Sequence, residues 1–273
     1  MIKQTVYTWQ KGGLARMKQN KKKTVKIILL TVLALTGAYF LWQNSPVHFK
    51  DENMGRVICN TIKGGVTPET VRRKDLKRVI SLDIGGVGNY ETLLDIGKCV
   101  NIRALTINGG TPQPYPAYEV TYDGWGRPLT EEDSVRIEEE LETVIPKLKG
   151  LRMFGYYVYT ENSDIESWDF LQSCPELTRI SITHSEVSDY AFLDTFENLR
   201  WVSLRGSGVE TADSLVNIQD PIRLDIPDTP LSENEEEVQR LCKALPNTQI
   251  WVSTGRTENE REIDLRELYN LDD

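Results

Sequence analysis

Histidine can act as a base or bind a metal near neutral pH, and this chain has only two histidines, His48 and His184. The pair cannot build a metal site together. His184 could serve as a catalytic base, but no serine, cysteine or aspartate stands with it in a nucleophile motif. We therefore interpret His184 as a surface binding residue, and we predict no catalytic residue, no metal and no cofactor.

Two further segments have compositions that could bind phosphate or calcium. Gly85-Gly86-Val87-Gly88 has the glycines of a phosphate-binding turn, but Glu91 replaces the last glycine of G-x-G-x-x-G. The acidic runs Glu138–Glu140 and Glu233–Glu237 lack the alternating ligand spacing of an EF-hand loop. We interpret the glycines as a turn and the acidic runs as solvated faces of helices.

The charges are divided between a basic head and an acidic body. Residues 1–50 carry nine of the 32 Lys and Arg residues and no Asp or Glu, which leaves all 41 acidic residues for 51–273. An apolar content of 39% with six Trp and eleven Tyr excludes a disordered protein. The single long apolar run excludes a polytopic membrane protein, and the acidic body argues against a nucleic-acid partner.

The basic head contains an uncharged run that is typical of a membrane anchor. Ile27–Trp42 has sixteen residues without a charge, and about twenty are needed to span a bilayer untilted. Five lysines precede it, at positions 18, 21, 22, 23 and 26, and such clusters stay cytoplasmic. We predict a cytoplasmic segment at 1–26, a transmembrane helix at 27–43, a linker at 44–57 and an extracytoplasmic body.

Two properties of the head remain open at this stage. The apolar run could instead be a signal peptide that is cleaved after Thr36-Gly37-Ala38, although the bulky residues Tyr39–Trp42 continue the run past that site. Translation could start at Met1 or at Met17, where a more ordinary targeting segment begins.

The body repeats one apolar pattern. LTRISITHSEV (177–187) and LRWVSLRGSGV (199–209) align without gaps and fit L-x-x-L-x-L-x-x-S-x-V. The apolar positions of this pattern recur in units that begin at Val79, Ile102, Leu151, Pro221 and Asn247. An apolar residue stands six positions before each later unit, at Ile96, Ile145, Leu171, Leu193, Leu215 and Leu241. Each unit therefore predicts one short strand, with positions one, four and six pointing inward, and a return segment.

These phrases, with RVISLDIGG and NIRALTINGG, resemble the leucine-rich repeats of extracellular bacterial proteins of the internalin type. The resemblance covers residues 64–253 and implies an α/β solenoid, with a parallel sheet on one face and helices or irregular segments on the other. It also implies a binding protein rather than an enzyme. The asparagine usual at the ninth position is absent, and Ser185, Ser207 or Thr229 could replace its hydrogen bonds in three units.

We place the repeat domain at 58–256 and expect a cap at each of its ends. A helix is predicted at 67–77, with Thr67 as its N-cap and Pro68 in the first turn. The acidic tail at 257–273 has apolar residues at near-helical spacing and is predicted to cap the last repeat.

Residues 111–150 form an insertion between two units. Thr130 and Asp133 have the spacing of a capping box and predict a helix start there. The insertion is either a projecting recognition element, or one long repeat unit or two degenerate ones.

The four cysteines are an even number, which outside a cell suggests two disulfides. However, Cys99 and Cys174 occupy a repeat position that apolar residues fill in other units. They also lie several repeats apart, whereas a bridge needs Cα atoms within about 7 Å. We therefore predict that Cys59, Cys99, Cys174 and Cys242 are free thiols in structural positions.

Strand positions between the buried ones face outward and should form an exposed sheet face. The outward residues that could bind a ligand are Tyr157, Arg179, Trp201, Arg205, Arg223 and Trp251. Arginine and aromatic residues dominate interface hot spots. We predict that they and His184 bind an unknown protein or cell-surface ligand, although Trp201 and Trp251 could instead cover the sheet against a loop. The alternatives are an immunity-type inhibitor or a surface enzyme that uses the 111–150 insertion, and a structural envelope component.

Overall fold

The structure, a computed structural model, describes residues 24–109, 129–158, 165–219, 221–253 and 262–264. The chain divides into two compact units. Of the described residues, the first unit contains those up to Pro46 together with Arg72–Lys74, and the second contains Val47–Val71 and those from Asp75 onward.

The first unit contains α1 (Thr24–Gln43), a helix of 20 residues that begins three residues before the predicted span. Its apolar side chains are exposed along its length. The hydroxyls of Thr31 and Thr36 each donate to the carbonyl oxygen four residues earlier, at 2.9 Å, so these polar groups are satisfied within the helix. By length and composition α1 is able to cross a membrane, a property that it shares with signal sequences.

The same unit joins the end of α1 to a basic segment that is distant in sequence. The main-chain N–H of Arg73 donates to the Ser45 carbonyl oxygen at 3.2 Å, and its Nε donates to the Ser45 hydroxyl at 3.0 Å. The Arg73 guanidinium lies 5.3 Å from the ring centroid of Trp42. Positive charge therefore lies at the C-terminal end of α1, in addition to the lysines that precede the helix.

The second unit is built on one eight-stranded sheet whose strands follow chain order. Its first seven strands are parallel: β1 (Ser81–Gly86), β2 (Ala104–Gly109), β3 (Met153–Val158), β4 (Arg179–Thr183), β5 (Trp201–Ser203), β6 (Arg223–Asp225) and β7 (Gln249–Ser253). The last, β8 (Glu262–Asp264), pairs antiparallel with β7. This is the α/β solenoid with a parallel sheet that the repeats predict.

One apolar residue from each of the seven repeats occupies a single row across the sheet. The row is Leu82, Leu105, Phe154, Ile180, Val202, Leu224 and Ile250, each in register with the next. Every member is at most 1% exposed. The unequal spacings of the units in the sequence therefore arise between the strands and not within them.

The return segments close the other side of this core. Most are short 3₁₀ turns, and two are helices, α4 (Glu131–Val144) and α5 (Glu235–Ala244). The apolar residues that stand six positions before the next unit are all fully buried, from Ile96 to Leu241. In the ninth repeat position, the Ser185 hydroxyl accepts from the Trp168 indole at 3.1 Å, and Thr229 Oγ1 donates to the Ile226 carbonyl oxygen at 2.8 Å. Hydroxyl side chains thus satisfy buried polar groups in these two units.

The N-terminal cap differs from the prediction. Residues 67–70 form a turn, and only α3 (Arg73–Leu76) is helical within 67–77. The longer helix is α2 (Glu52–Asn60), which begins inside the predicted linker. Asp51 caps it by accepting from the Met54 N–H at 2.8 Å, and Met54 and Ile58 are buried one turn apart. This short apolar stripe was missed because it is confined to two turns.

The helix predicted within the insertion is present, and it belongs to the repeat array. Thr130 and Asp133 form its capping box. The Glu140 carboxylate accepts from the Thr92 hydroxyl, the Leu93 N–H and Arg136, whereas Glu138 accepts two N–H groups of the next repeat. These two carboxylates are therefore structural and are not part of a solvated face. Residues 111–128 lie outside the described residues.

At the C-terminal end, part of the predicted tail is a strand. Ile263 pairs with Val252 across the antiparallel β7–β8 pair. The helix that the apolar spacing suggested is thus replaced at 262–264 by pairing with the open edge of the last repeat. The other residues of the tail lie outside the described part of the chain.

All four cysteines are buried free thiols, as the repeat register predicts. Burial raises the pKa of the Cys99 thiol to about 12. Such a thiol stays protonated and unreactive near neutral pH, which agrees with a structural role.

We expect Glu140→Gln to destabilise the repeat array by about 1–3 kcal/mol, because it replaces one carboxylate oxygen by an NH2 group that donates and cannot accept. The measurement is chemical denaturation of the full chain in detergent. Glu142, exposed on the same helix, provides the matched control Glu142→Gln. Equal stability of the two variants would contradict a structural role for Glu140.

Candidate ligand-binding face

Four of the predicted binding residues form a continuous stack on the outward side of β4 to β7. Arg179, Trp201 and Arg223 are consecutive in register across β4, β5 and β6. The Arg179 guanidinium carbon lies 3.5 Å from the Trp201 ring centroid. The Arg223 guanidinium carbon lies 5.1 Å from Trp201 and 4.6 Å from Trp251. We call these four residues the Arg/Trp ladder, since cations and aromatic rings alternate along it.

A buried carboxylate holds the ladder in place. Asp225 is 8% exposed, and it accepts from the Trp201 indole N–H at 2.9 Å and from Arg223 Nε at 2.6 Å. Both donors come from ladder residues, so one acid orients a ring and a guanidinium together. Asp225 is not among the predicted binding residues, although the spacing of Arg223 and Asp225 by two along a strand indicates a pair on one face.

A second cluster lies where β4 and the following strands end. His184, Gly206 and Asp228 occupy the same repeat position and have left-handed φ angles of 53°, 64° and 59°. The Arg205 Nη1 and Asp228 Oδ2 atoms form an ion pair at 3.2 Å. A Cβ atom on Gly206 would lie 2.3 Å from His184 Nδ1, so glycine makes room for the imidazole there. The cluster is thus His184 beside an Arg205–Asp228 pair.

The surroundings of His184 favour the neutral imidazole. The residue is exposed, but partial burial of its ring lowers the pKa, and the Arg205 charge acts in the same direction. Asp228 acts in the opposite direction and only partly offsets them. The main-chain N–H of His184 donates to the Arg205 carbonyl oxygen at 2.7 Å, which holds the two repeats together at this point.

Tyr157 is the remaining predicted binding residue. It is half-buried on β3, and a Cβ atom on Gly155 would lie 2.9 Å from its ring, so the ring folds back over its own strand. The structure therefore brings together the four ladder residues, places His184 and Arg205 in a neighbouring cluster, and puts Tyr157 over Gly155. The tryptophans of the ladder contact arginines of the sheet.

The side chains that could bind a metal ion are dispersed among the described residues. Within those ranges, no three His, Cys, Asp or Glu side chains are grouped to hold a metal ion. An open groove of about 1010 Å³ runs along the return segments and is lined by Glu166, Asp169, Glu186, Asp189 and Asp194. This groove contains no residue of the ladder.

Comparisons with known proteins give similarity to solved structures only, since no family model and no curated protein matches the chain. Internalin C2 of Listeria monocytogenes is 17% identical, with 76% of this chain and 86% of that chain covered and a TM-score of 0.48. An internalin, InlF, of the same organism is 14% identical, covering 76% and 57%, with a TM-score of 0.46. A leucine-rich-repeat protein of Leptospira interrogans is 14% identical, covering 64% and 38%, with a TM-score of 0.38.

The pKa of His184 should lie below the ordinary histidine value of about 6.5, as a titration of its imidazole by NMR would show. A lowered folded-state pKa means that the unfolded chain binds the proton more tightly. The stability contributed by this group is therefore fully present above pH ~6.5 and is lost as the pH falls through the folded-state pKa.

Arg205→Gln should raise this pKa and Asp228→Asn should lower it further, because each removes a charge that acts on the imidazole. Arg152→Gln, an exposed arginine at the opposite end of the strands, is the control. An unchanged pKa in both cluster variants would show that His184 does not sense the Arg205–Asp228 pair.

Proposed function

We propose that this protein is a membrane-anchored, extracytoplasmic binding protein that captures a protein or cell-surface ligand through the Arg/Trp ladder and the His184 cluster. The observation that carries the proposal is the ladder itself, in which Arg179 and Trp201 stack at 3.5 Å on an outward sheet face. Arginine and tryptophan are the residues most often found at interface hot spots.

Preorganisation supports binding as the role of this face. Long arginine side chains normally lose rotational freedom when they bind a partner, and that loss weakens binding. Here the rings and Asp225 already hold Arg223, and Trp201 already supports Arg179. The strands beneath them are held by a fully buried core row. A partner can thus bind side chains whose positions are already set.

The shape of the candidate site favours a large partner over a small substrate. The ladder extends over four strands and lies on a sheet face, whereas catalysis requires groups that converge on one reacting atom. His184, with its lowered pKa, lies beside an ion pair and not beside a nucleophile. We therefore propose a binding module and no enzymatic activity.

The anchor is the second part of the proposal. We assign residues 1–26 to the cytoplasm, 27–43 to the membrane, and the repeat domain, 58–256, to the outer side. Lysines precede α1, and the helix has exposed apolar side chains and internally bonded hydroxyls, as a lipid environment requires. Tyr39 and Trp42 lie near its far end, where aromatic residues favour the membrane interface.

The anchor is tested by tagging both ends of the full chain and expressing it in bacterial cells. We expect the protein to stay in the membrane pellet after alkaline carbonate extraction, with only the C-terminal tag accessible to protease in cells whose outer barrier is opened. Leu29→Lys with Leu33→Lys should release it, because each charge in the span costs about 2.5–3.5 kcal/mol. A product that has lost the N-terminal tag and whose new N-terminus lies just after Ala38 would show a cleaved signal peptide instead.

The binding face is tested by capturing partners from native envelope with the full chain and comparing variants. Trp201→Ala with Arg179→Ala should abolish capture, since hot-spot residues each contribute about 2 kcal/mol or more. Arg152→Ala with Arg200→Ala removes two exposed arginines outside the ladder and should leave capture unchanged. Unaltered capture by the first variant, with its thermal unfolding unchanged, would exclude the ladder as the site.

A further inference from the structure

Of the three arginines of the binding face, two have an acidic partner and Arg179 has none among the described residues. Arg223 Nε donates to the Asp225 carboxylate at 2.6 Å, and Arg205 pairs with Asp228 at 3.2 Å. The guanidinium of Arg179, in contrast, forms no hydrogen bond or ion pair with any residue that the structure describes. It instead contacts the Trp201 ring, with its central carbon 3.5 Å from the ring centroid. A half-buried guanidinium therefore keeps its donors available.

Comparison of the repeats shows why Arg179 lacks an acid. In β6, Arg223 is followed two residues later by Asp225, and residues two apart on a strand share a face. Arg179 occupies the same repeat position in β4, but the residue two positions later is Ser181, which is buried. The internal carboxylate of one repeat is thus a serine in the other. The repeat of Arg179 therefore supplies no acid two residues further along the strand.

The stacking also determines which edge of Arg179 a ligand would contact. The N–H donors of a guanidinium lie in its own plane and point outward from its edge, so a contact of its central carbon with a ring leaves these donors accessible. That planar edge matches the two oxygens of a carboxylate and binds them with two parallel hydrogen bonds. Because the Trp201 indole is itself held by Asp225 at 2.9 Å, the position of the edge is set before binding.

The surroundings favour a single negative charge next to an apolar group. The charges of Arg223 and Arg205 are opposed by their own aspartates, so one cation remains for the ligand. Phosphate, which carries up to two charges near neutral pH, would normally be held by several cations. On the other side of Arg179, in register on β3, lies Met153, which is 40% exposed and offers an apolar surface.

We infer that the partner is a protein that places an aspartate or glutamate carboxylate on Arg179 and an adjacent apolar side chain on Met153. This inference rests on the proposed function and specifies the chemistry of its ligand. The acid of the partner lies relative to Arg179 as Asp225 lies relative to Arg223. Because the repeat domain as a whole is acidic, it repels acidic partners that do not place their carboxylate on Arg179.

The probe is a library of random dodecapeptides selected on the full chain in nanodiscs, with the affinities of selected peptides measured by fluorescence polarisation. We expect the selected peptides to share an Asp or Glu next to an apolar residue. Arg179→Gln should weaken their binding by about tenfold to hundredfold, as should Asp→Asn or Glu→Gln in the peptide. The affinity of an amide-substituted peptide for Arg179→Gln should be no lower than with either change alone, because both changes remove the same contact.

Ser181→Asp is the sharpest variant, since it supplies internally the acid that the inference assigns to the partner. It should weaken binding to a similar extent, whereas Ser188→Asp, which adds the same charge at an exposed position on a return segment, should change affinity less than about twofold. Thermal unfolding of each variant shows whether it is folded. If Ser181→Asp does not fold, Arg179→Gln and the peptide substitutions decide the question.

The possible failures are distinguishable. Peptides that lose binding with Trp201→Ala but contain no acidic residue, or that bind Ser181→Asp normally, would overturn the carboxylate assignment and leave the proposed face intact. Competition by inorganic phosphate but not by acetate would also overturn it. If no selected peptide depends on Trp201, both this inference and the proposed function are wrong.

Discussion

Each repeat presents an apolar strand face that it cannot bury alone, and the whole second unit follows from stacking these faces in register. The row from Leu82 to Ile250 is continuous across seven parallel strands and fully buried. A shift of one residue in any strand would turn its apolar residues outward, so the register is strongly specified. Length variation is therefore tolerated only in the return segments, where α4 stands before the 3₁₀ turn Ile145–Lys147 without disturbing the strands.

The same register creates the candidate binding face. Because alternate residues of a strand point to opposite sides, burying one row places another on the outer face, at the short spacing between neighbouring strands. Arg179, Trp201 and Arg223 occupy equivalent repeat positions and therefore stack. Their alternation of cation and ring is favourable at this spacing, whereas three arginines in the same positions would repel one another. Asp225 then balances one cation and leaves the other for a partner.

The acidic residues of the second unit have two physical roles. Asp51, Glu138, Glu140 and Glu237 accept main-chain N–H groups of neighbouring segments and thus satisfy half-buried donors at repeat boundaries. Others, such as Asp169 and Asp189, line an open groove on the return side. Neither role can be inferred from the net charge, and neither can the Arg/Trp ladder on the outward face of the sheet.

The sequence by itself determined the repeat register, the buried thiols and the residues that face outward. Alternate residues of a strand point to opposite faces, so the apolar positions within each repeat show which face is buried. The sequence did not indicate α2 as the N-terminal cap, since a stripe of two turns gives too little periodicity. Nor did it indicate that Asp225 of one repeat holds the Trp201 ring of the preceding repeat. That contact depends on the distance between two strands, and only the tertiary structure brings residues from different repeats within hydrogen-bonding reach.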